Sequence, residues 1–309
     1  MPDVAMHHAF GREVLGALPE EIRRDLRETP FVFALYGPDL WFMYRPGKLR
    51  QGRGRRMHTT RTGAFLMALA DRARSGSARE EVFSYLAGFL CHYALDSAAH
   101  PYIVWRTTET WPTRRAHRDM EHALDAALLK REGFWGEKHP VTDHHFPKLK
   151  LPESMDADLD LAYGSVYGWR GVRKSLNRCY RQYRKFYRLI ETPRSLLTGL
   201  AALVPTHRFR SLPYVRSAFL DRDVENLSRA SWSQPGSGEG NFTDSFPDLY
   251  ASARENALRM ISAAWEFARA GSLSGEELKA VLGNRSYLSG LDAEDPRNWL
   301  VRSLMPPEE

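Results

Sequence analysis

The chain of 309 residues is poor in several things that would have fixed its class at once. It has two cysteines, Cys91 and Cys179, too few for the disulfide framework of a small secreted domain. It has no long apolar run: the longest piece, residues 196–204, is far shorter than a membrane span and is interrupted by Thr198 and Gly199. No series of alternating apolar and polar residues announces a sheet, and no internal repeat of domain size appears. The first eight residues carry neither a basic nor an apolar leader pattern, so a cytoplasmic location is the expectation. Acid is nearly missing from residues 166–220, where twelve Arg or Lys accompany the single carboxylate Glu191. That segment therefore favours an anionic partner: phosphate groups, a membrane surface or a nucleic acid.

What is present is ordinary globular composition, 43% hydrophobic and 27% charged, with ample chain to bury a core. The periodicity is helical almost throughout, and an all-α, multi-helix bundle is expected, one domain spanning 1–309. Residues 1–136 form its helical core, 137–165 a connecting segment over the surface, and 166–309 a further helical portion. Gly37, Pro38 and Asp39 mark a turn, and residues 45–56, rich in Gly and Arg, read as a loop. Ser77 and Glu80 suggest a capping box opening a long helix, as do Ser274 and Glu277 for a short late one. Pro101 is a brake near the long helix's end.

Two stretches carry chemistry. His92, Asp96 and His100 recur every four residues, and so do His117, Glu121 and Asp125. Residues four apart lie on one helical face, so each stretch projects a column of N and O donors. The first column sits inside an apolar run, where burying such groups is costly unless something pairs with them. A metal ion is the simplest partner, and two facing columns suggest more than one. A single column could equally be a hydrogen-bonded core histidine or a surface pair. Upstream, His7, Asp39 and His58 are further candidate ligands, with His8 the alternative to His7. Asp125 is the weakest member and could be an ordinary surface carboxylate. Asp119 and His122 are expected in solvent, and His139, His144 and His145 as exposed loop histidines.

The order His7, then Gly37, Pro38 and Asp39, then His58, then Gly88 through His92, Asp96, His100, Pro101 and Tyr102, then His117 and Glu121 resembles the bacterial zinc-dependent phospholipase C family. The likeness covers roughly the first 135 residues and continues more weakly in residues 245–250. It implies an all-α fold holding two or three zinc ions between helices, a fold and cluster shared with fungal single-strand-specific nucleases. By position it implies one zinc site from Asp39, His58, His92 and Asp96, a second from His100, His117 and Glu121, and a third from His7 with Asp96. The pattern departs from the best-known secreted members in a shorter step from Asp96 to His100. Residues 222–309 read as helical, unlike the membrane-docking β-sandwich of clostridial relatives.

The implied activity is phosphodiester hydrolysis by metal-activated water, with Asp39 orienting or deprotonating that water and a phospholipid cleaved to diacylglycerol and a phosphorylated head group. A nuclease or other phosphodiesterase on the same core is the alternative reading, and a non-enzymatic metal-binding scaffold another. Arg53, Arg55 and Arg56, between Asp39 and His58, are candidates to contact the substrate phosphate. The basic, aromatic stretch 168–190 could meet an anionic membrane or a nucleic-acid backbone. The favoured reading places its aromatics in the core and its bases in solvent.

Overall fold

The computed structural model of the chain describes residues 3–45, 52–111, 116–191, 221–235 and 237–298. Their helices are α1 (Val4–Ala17), α2 (Glu20–Asp25), α3 (Glu28–Ala34), α4 (Arg53–Thr59), α5 (Thr62–Ser75), α6 (Arg79–Trp105), α7 (Ala116–Arg131), α8 (Pro140–His144), α9 (Asp156–Tyr167), α10 (Val172–Ile190), α11 (Phe246–Trp265) and α12 (Gly275–Leu282). Gly37–Met43 is a 3₁₀ turn, and α6 and α11 each run on into a π turn, Arg106–Thr110 and Glu266–Ala270. Among the described residues there is no strand, only two isolated antiparallel bridges, Trp232 with Phe242 and Arg285 with Asp292. The all-α expectation holds. No described helix is long and apolar enough to cross a membrane.

Helix α6 is the axis of the bundle. Its residues are buried on every side from Val82 to Val104, with few exceptions, because α3, α5, α11 and α1 surround it. A helix apolar all round belongs in an interior, so the His and Asp side chains it carries are held away from water. One contiguous set of buried side chains links Val4 on α1 to Tyr287 beyond α12. Helix α10 shows the opposite pattern. It buries Leu176, Tyr180 and Tyr187 and exposes Arg178, Arg181, Lys185 and Arg188, as the core reading of its aromatics expects.

Several local expectations need correction. The start of α6 is capped not by Ser77 with Glu80 but by Asp158, which accepts from the Ala78 N–H at 2.8 Å and the Ser77 hydroxyl at 3.1 Å. Pro101 lies inside the helix rather than stopping it. The connecting segment 137–165 holds α8 and most of α9, with Leu159, Ala162 and Tyr163 buried, so it is packed structure and not a surface connection. Arg53 to Arg56 are helical, while residues 46–51 and 192–220 lie outside the described residues. The boxes at Ser274 with Glu277 and at Ser245 with Asp248 are both formed. Residues 221–245 and 283–298 are turns and irregular chain, in a portion whose sequence reads as helical apart from a loop at 233–240.

Candidate metal centre

Five elements deliver the candidate donors to one place. Helix α1 brings His7, the 3₁₀ turn Asp39, α4 His58, α6 the column of His92, Asp96 and His100, and α7 His117 with Glu121. The donors form three groups: His7, His92 and Asp96; Asp39, His58 and His92; and His100, His117 and Glu121. Within each group one atom from every residue lies within 4.8 Å of the others. Asp96 is the hub. Its Oδ1 is 3.2 Å from His7 Nε2, and its Oδ2 is 3.0 Å from His92 Nε2 and 3.9 Å from His58 Nε2. His58 Nε2 also faces Asp39 Oδ1 at 3.1 Å, and His117 Nε2 faces Glu121 Oε1 at 2.7 Å. The His7 and His92 rings stack at 3.9 Å, which brings the two nitrogens side by side.

The approach of the 3₁₀ turn depends on Gly37. A Cβ there would sit 2.6 Å from the His92 ring, and its φ of +39° is a conformation that favours glycine. The turn can therefore bring Asp39 alongside His92 only with glycine at this position.

The tautomers are fixed by main-chain carbonyls. His58 Nδ1 is 2.7 Å from Gly54 O, His92 Nδ1 2.9 Å from Leu35 O, and His100 Nδ1 2.7 Å from Tyr287 O. A carbonyl can only accept, so each Nδ1 is the donor, and Nε2 is the nitrogen each ring turns inward as a potential ligand. That is the outer support metal-ligating histidines use. Inside, Nε2 of His92, Nε2 of His100, both nitrogens of His7 and both oxygens of Asp96 are buried without a hydrogen-bond partner. Buried polar atoms are rarely left so. Acceptors facing acceptors at these distances need a cation between them. The donor set, imidazole nitrogens and carboxylate oxygens, fits zinc.

The titration behaviour agrees. Burial pushes the Asp96 carboxyl up, but His92, His100 and His7 pull it well below the usual carboxylate range. Burial pulls the His92 imidazole down, and the carboxylates of Asp96 and Asp39 outweigh it and raise it. Burial holds His7 and His100 below the ordinary value, so both stay neutral and available as donors. Accessibility is graded. His92, Asp96 and His100 are fully buried, while the side chains of Glu121 and His117 are 13% and 16% exposed. The third group is thus the open end of the centre. A cleft of about 380 Å³ lined by Arg12, Leu15, Arg23 and Phe31 contains none of these residues.

Other candidates fall elsewhere. Asp125 is fully buried rather than at the surface. Its two oxygens accept from the Ala5 and Met6 N–H groups at 2.9 and 3.0 Å, tethering the first turn of α1. His122, expected in solvent, is buried, with Nε2 2.9 Å from Asp3 Oδ2; the Tyr187 hydroxyl donates to the other Asp3 oxygen. Of the pair His7 and His8, His7 faces the centre, while His8 Nδ1 meets His145 Nδ1 at 3.3 Å. His145 is buried against Glu132 at 2.7 Å and His139 is buried too, so neither is an exposed loop histidine. His144 stacks on Phe134. Arg53 lays its guanidinium over Tyr44, Trp169 and Trp41, at 3.8, 4.5 and 5.1 Å from the ring centroids, and Arg56 lies over Tyr167. The sequence reading missed the carbonyls of Leu35, Gly54 and Tyr287. Only the glycine of Gly37, Pro38 and Asp39 hinted at how closely the main chain approaches.

The model of a family described as zinc-dependent phospholipase C matches residues 6–169, which is 164 of the 309 residues and includes every donor named above. No curated protein and no solved structure matches the chain.

Proposed function

The chain belongs to the zinc-dependent phospholipase C family, and from that premise we propose that it hydrolyses the phosphodiester of a phospholipid, releasing diacylglycerol and a phosphorylated head group. The observation that carries the reading is the set of buried, unpartnered donor atoms on His7, His92, Asp96 and His100, closed from outside by carbonyls. The ligands are Asp39, His58, His92 and Asp96 at the inner site, His7 beside them, and His100, His117 and Glu121 at the open end, for two or three zinc ions. Bound zinc supplies a Lewis acid for the phosphoryl oxygens and lowers the pKa of water toward neutrality.

The chain's own residues do the rest. Asp39, whose Oδ1 lies 3.1 Å from His58 Nε2, orients the attacking water and takes its proton. As the new O–P bond forms and the P–O bond to the glycerol carbon chain breaks, the released alkoxide takes a proton from solvent water, and Asp39 gives the proton it took back to solvent, so that one water is consumed in all. His117 and Glu121, the more exposed ligands, face the incoming phosphodiester. The enclosing apolar wall of α6 and α3 excludes bulk water from the inner groups. Arg53 and Arg56, on α4 with their guanidinium groups over aromatic rings, and Arg55 between them are the candidates to meet the phosphate.

The test is metal content and substrate profile together. Protein purified without chelator should carry two or three zinc equivalents and cleave phosphatidylcholine in vesicles in preference to single-stranded DNA. His92→Ala should abolish cleavage and the zinc of the inner site, leaving at most the equivalent held by His100, His117 and Glu121. Preference for DNA would move the assignment to a nuclease on the same centre, and metal-free protein that takes up no added zinc would overturn the hydrolase reading.

A further inference from the structure

Outside the residues matched by the family model lies a turn, residues 283–292, that touches two ligand-bearing helices at once. Tyr287 is its contact point. The peptide N–H of Tyr287 donates to His58 O at 3.1 Å, and its carbonyl accepts from His100 Nδ1 at 2.7 Å. One residue of main chain therefore bridges the end of α4 to the C-terminal part of α6. His58 O belongs to the last turn of a seven-residue helix, where carbonyls lack partners within the helix. The ring of Tyr287 is buried and lies 5.3 Å from His58 and 6.1 Å from His92, centroid to centroid.

The turn is itself held firmly. The Arg285 N–H donates to the Tyr93 hydroxyl at 2.8 Å, and that hydroxyl donates to Leu282 O at 3.2 Å. Gln234 donates to Ser289 O at 2.8 Å, and Asn298 pairs with the Ser289 hydroxyl. Gly290 lies against α6 between the ligands Asp96 and His100. A Cβ there would be 2.6 Å from Ser97 O and 3.2 Å from Pro101 Cγ, and its φ of +68° favours glycine.

We propose that this turn is a positioning element of the metal centre: through the Tyr287 carbonyl it fixes the His100 tautomer and so sets zinc affinity at the group of His100, His117 and Glu121. The proposal rests on the zinc reading above. It singles out the third group because His58 and His92 draw their tautomers from Gly54 and Leu35, which the turn does not contribute. Of the three carbonyls that fix the rings, Tyr287 alone comes from beyond residue 169.

Gly290→Ala tests it, because the methyl group must push the turn off α6. Gly271→Ala is the control. Gly271 has a φ of +67° and open space where an alanine Cβ would stand, with nothing within 4 Å, so it imports the same backbone strain far from the centre. Zinc is titrated against a chromogenic chelator, and the His100 ring is followed by ¹⁵N side-chain NMR. In Gly290→Ala one zinc equivalent, that of His100, His117 and Glu121, should loosen roughly 10- to 100-fold, the range for losing an outer partner of a ligating histidine. The other equivalents should hold, and the Nδ1–H signature of His100 should weaken. Gly271→Ala should bind as wild type does. Equal zinc affinity in wild type and a folded Gly290→Ala, or equal loosening in both variants, overturns the proposal. Should Gly290→Ala not fold, Asn298→Ala replaces it: several-fold loosening supports the proposal and unchanged affinity overturns it. Wild type that binds no zinc sinks the underlying reading instead, an outcome distinct from every one of these.

Discussion

Asp96→Asn should change the sign of the centre's contribution to stability according to whether zinc is present. The wild-type carboxylate is fully buried and held in its charged form by His92, His100 and His7. Without zinc, that charge is balanced only by drawing a proton onto an imidazole, and buried charge pairs of this kind stabilise little or cost stability. Asparagine has the same shape and can donate its amide hydrogens to His7 Nε2 or His92 Nε2, which now stand 3.2 and 3.0 Å from the carboxylate oxygens. The zinc-free variant should therefore be as stable as zinc-free wild type, or more so. With zinc the order reverses. Free zinc at a thousand times its dissociation constant stabilises a folded protein by about 4 kcal/mol. For 309 residues the usual entropy of unfolding turns 1 kcal/mol into roughly 1.5 °C, so the wild-type midpoint should rise by about 6 °C. Thermal melts followed by circular dichroism, in excess zinc and in chelator, give all four midpoints. Wild type should show the rise in full and Asp96→Asn only the smaller part left by zinc at His100, His117 and Glu121. A variant that keeps the whole zinc-dependent rise, or one that melts far below wild type in chelator as well, would refute the placement of Asp96 at the hub of a metal centre.

Two further outcomes follow from the geometry. Glu191 is buried, accepts from the Val141 and Thr142 N–H groups at 2.5 and 3.0 Å, and is pushed up to about 7 by burial. Its folded pKa exceeds the unfolded 4.5, so the stability it contributes is complete below pH 4.5 and is lost as pH rises through about 7, an effect of at most about 3 kcal/mol. Glu191→Gln keeps an acceptor for both N–H groups and should flatten the pH dependence of urea unfolding between pH 5 and 8; parallel profiles for the two proteins would count against it. Gly37→Ala, with its Cβ forced toward the His92 ring and φ at +39°, should cost about 1–3 kcal/mol in the same assay and lower zinc content. Wild-type zinc content at a wild-type midpoint would show that the turn has room to spare.

The parts of this molecule that the sequence disclosed are those set by short-range rules. The donors on α6 recur at the helical period within an apolar run, and both facts are local. The parts it hid are set by partners far along the chain. Main-chain carbonyls have no letter of their own, so nothing marked Leu35 or Tyr287 as the groups that orient His92 and His100. Asp125 has the spacing of a ligand, yet α1 docks its first N–H groups onto it, a contact across 119 and 120 residues that spacing cannot encode. Residues 53–56 looked like loop because glycine and arginine favour one. The ring faces of Tyr44, Trp41 and Trp169 give Arg53 a seat that ties α4 down as a helix, a tertiary contact overriding a local preference.

Charge gives the centre a direction. Asp39, Asp96 and Glu121 bring three negative charges to a place where five imidazoles, if neutral, bring none. Three carboxylates gathered in a buried site repel one another and lose hydration, so the metal-free cluster must import positive charge. The raised pKa of His92 is that demand expressed as a proton. Two zinc ions would answer it with one positive charge in excess, and three with a larger excess. Either way a filled centre would attract an anion, and of the eight candidate ligands His117 and Glu121 are the ones nearest solvent. On the proposed function, a phosphodiester approaching from that end would meet a net positive field with an acidic wall on one side, which would favour the phosphoryl oxygens over a neutral group of the same size. Selection for an anionic substrate would then follow from the imbalance between buried carboxylates and the cations they require.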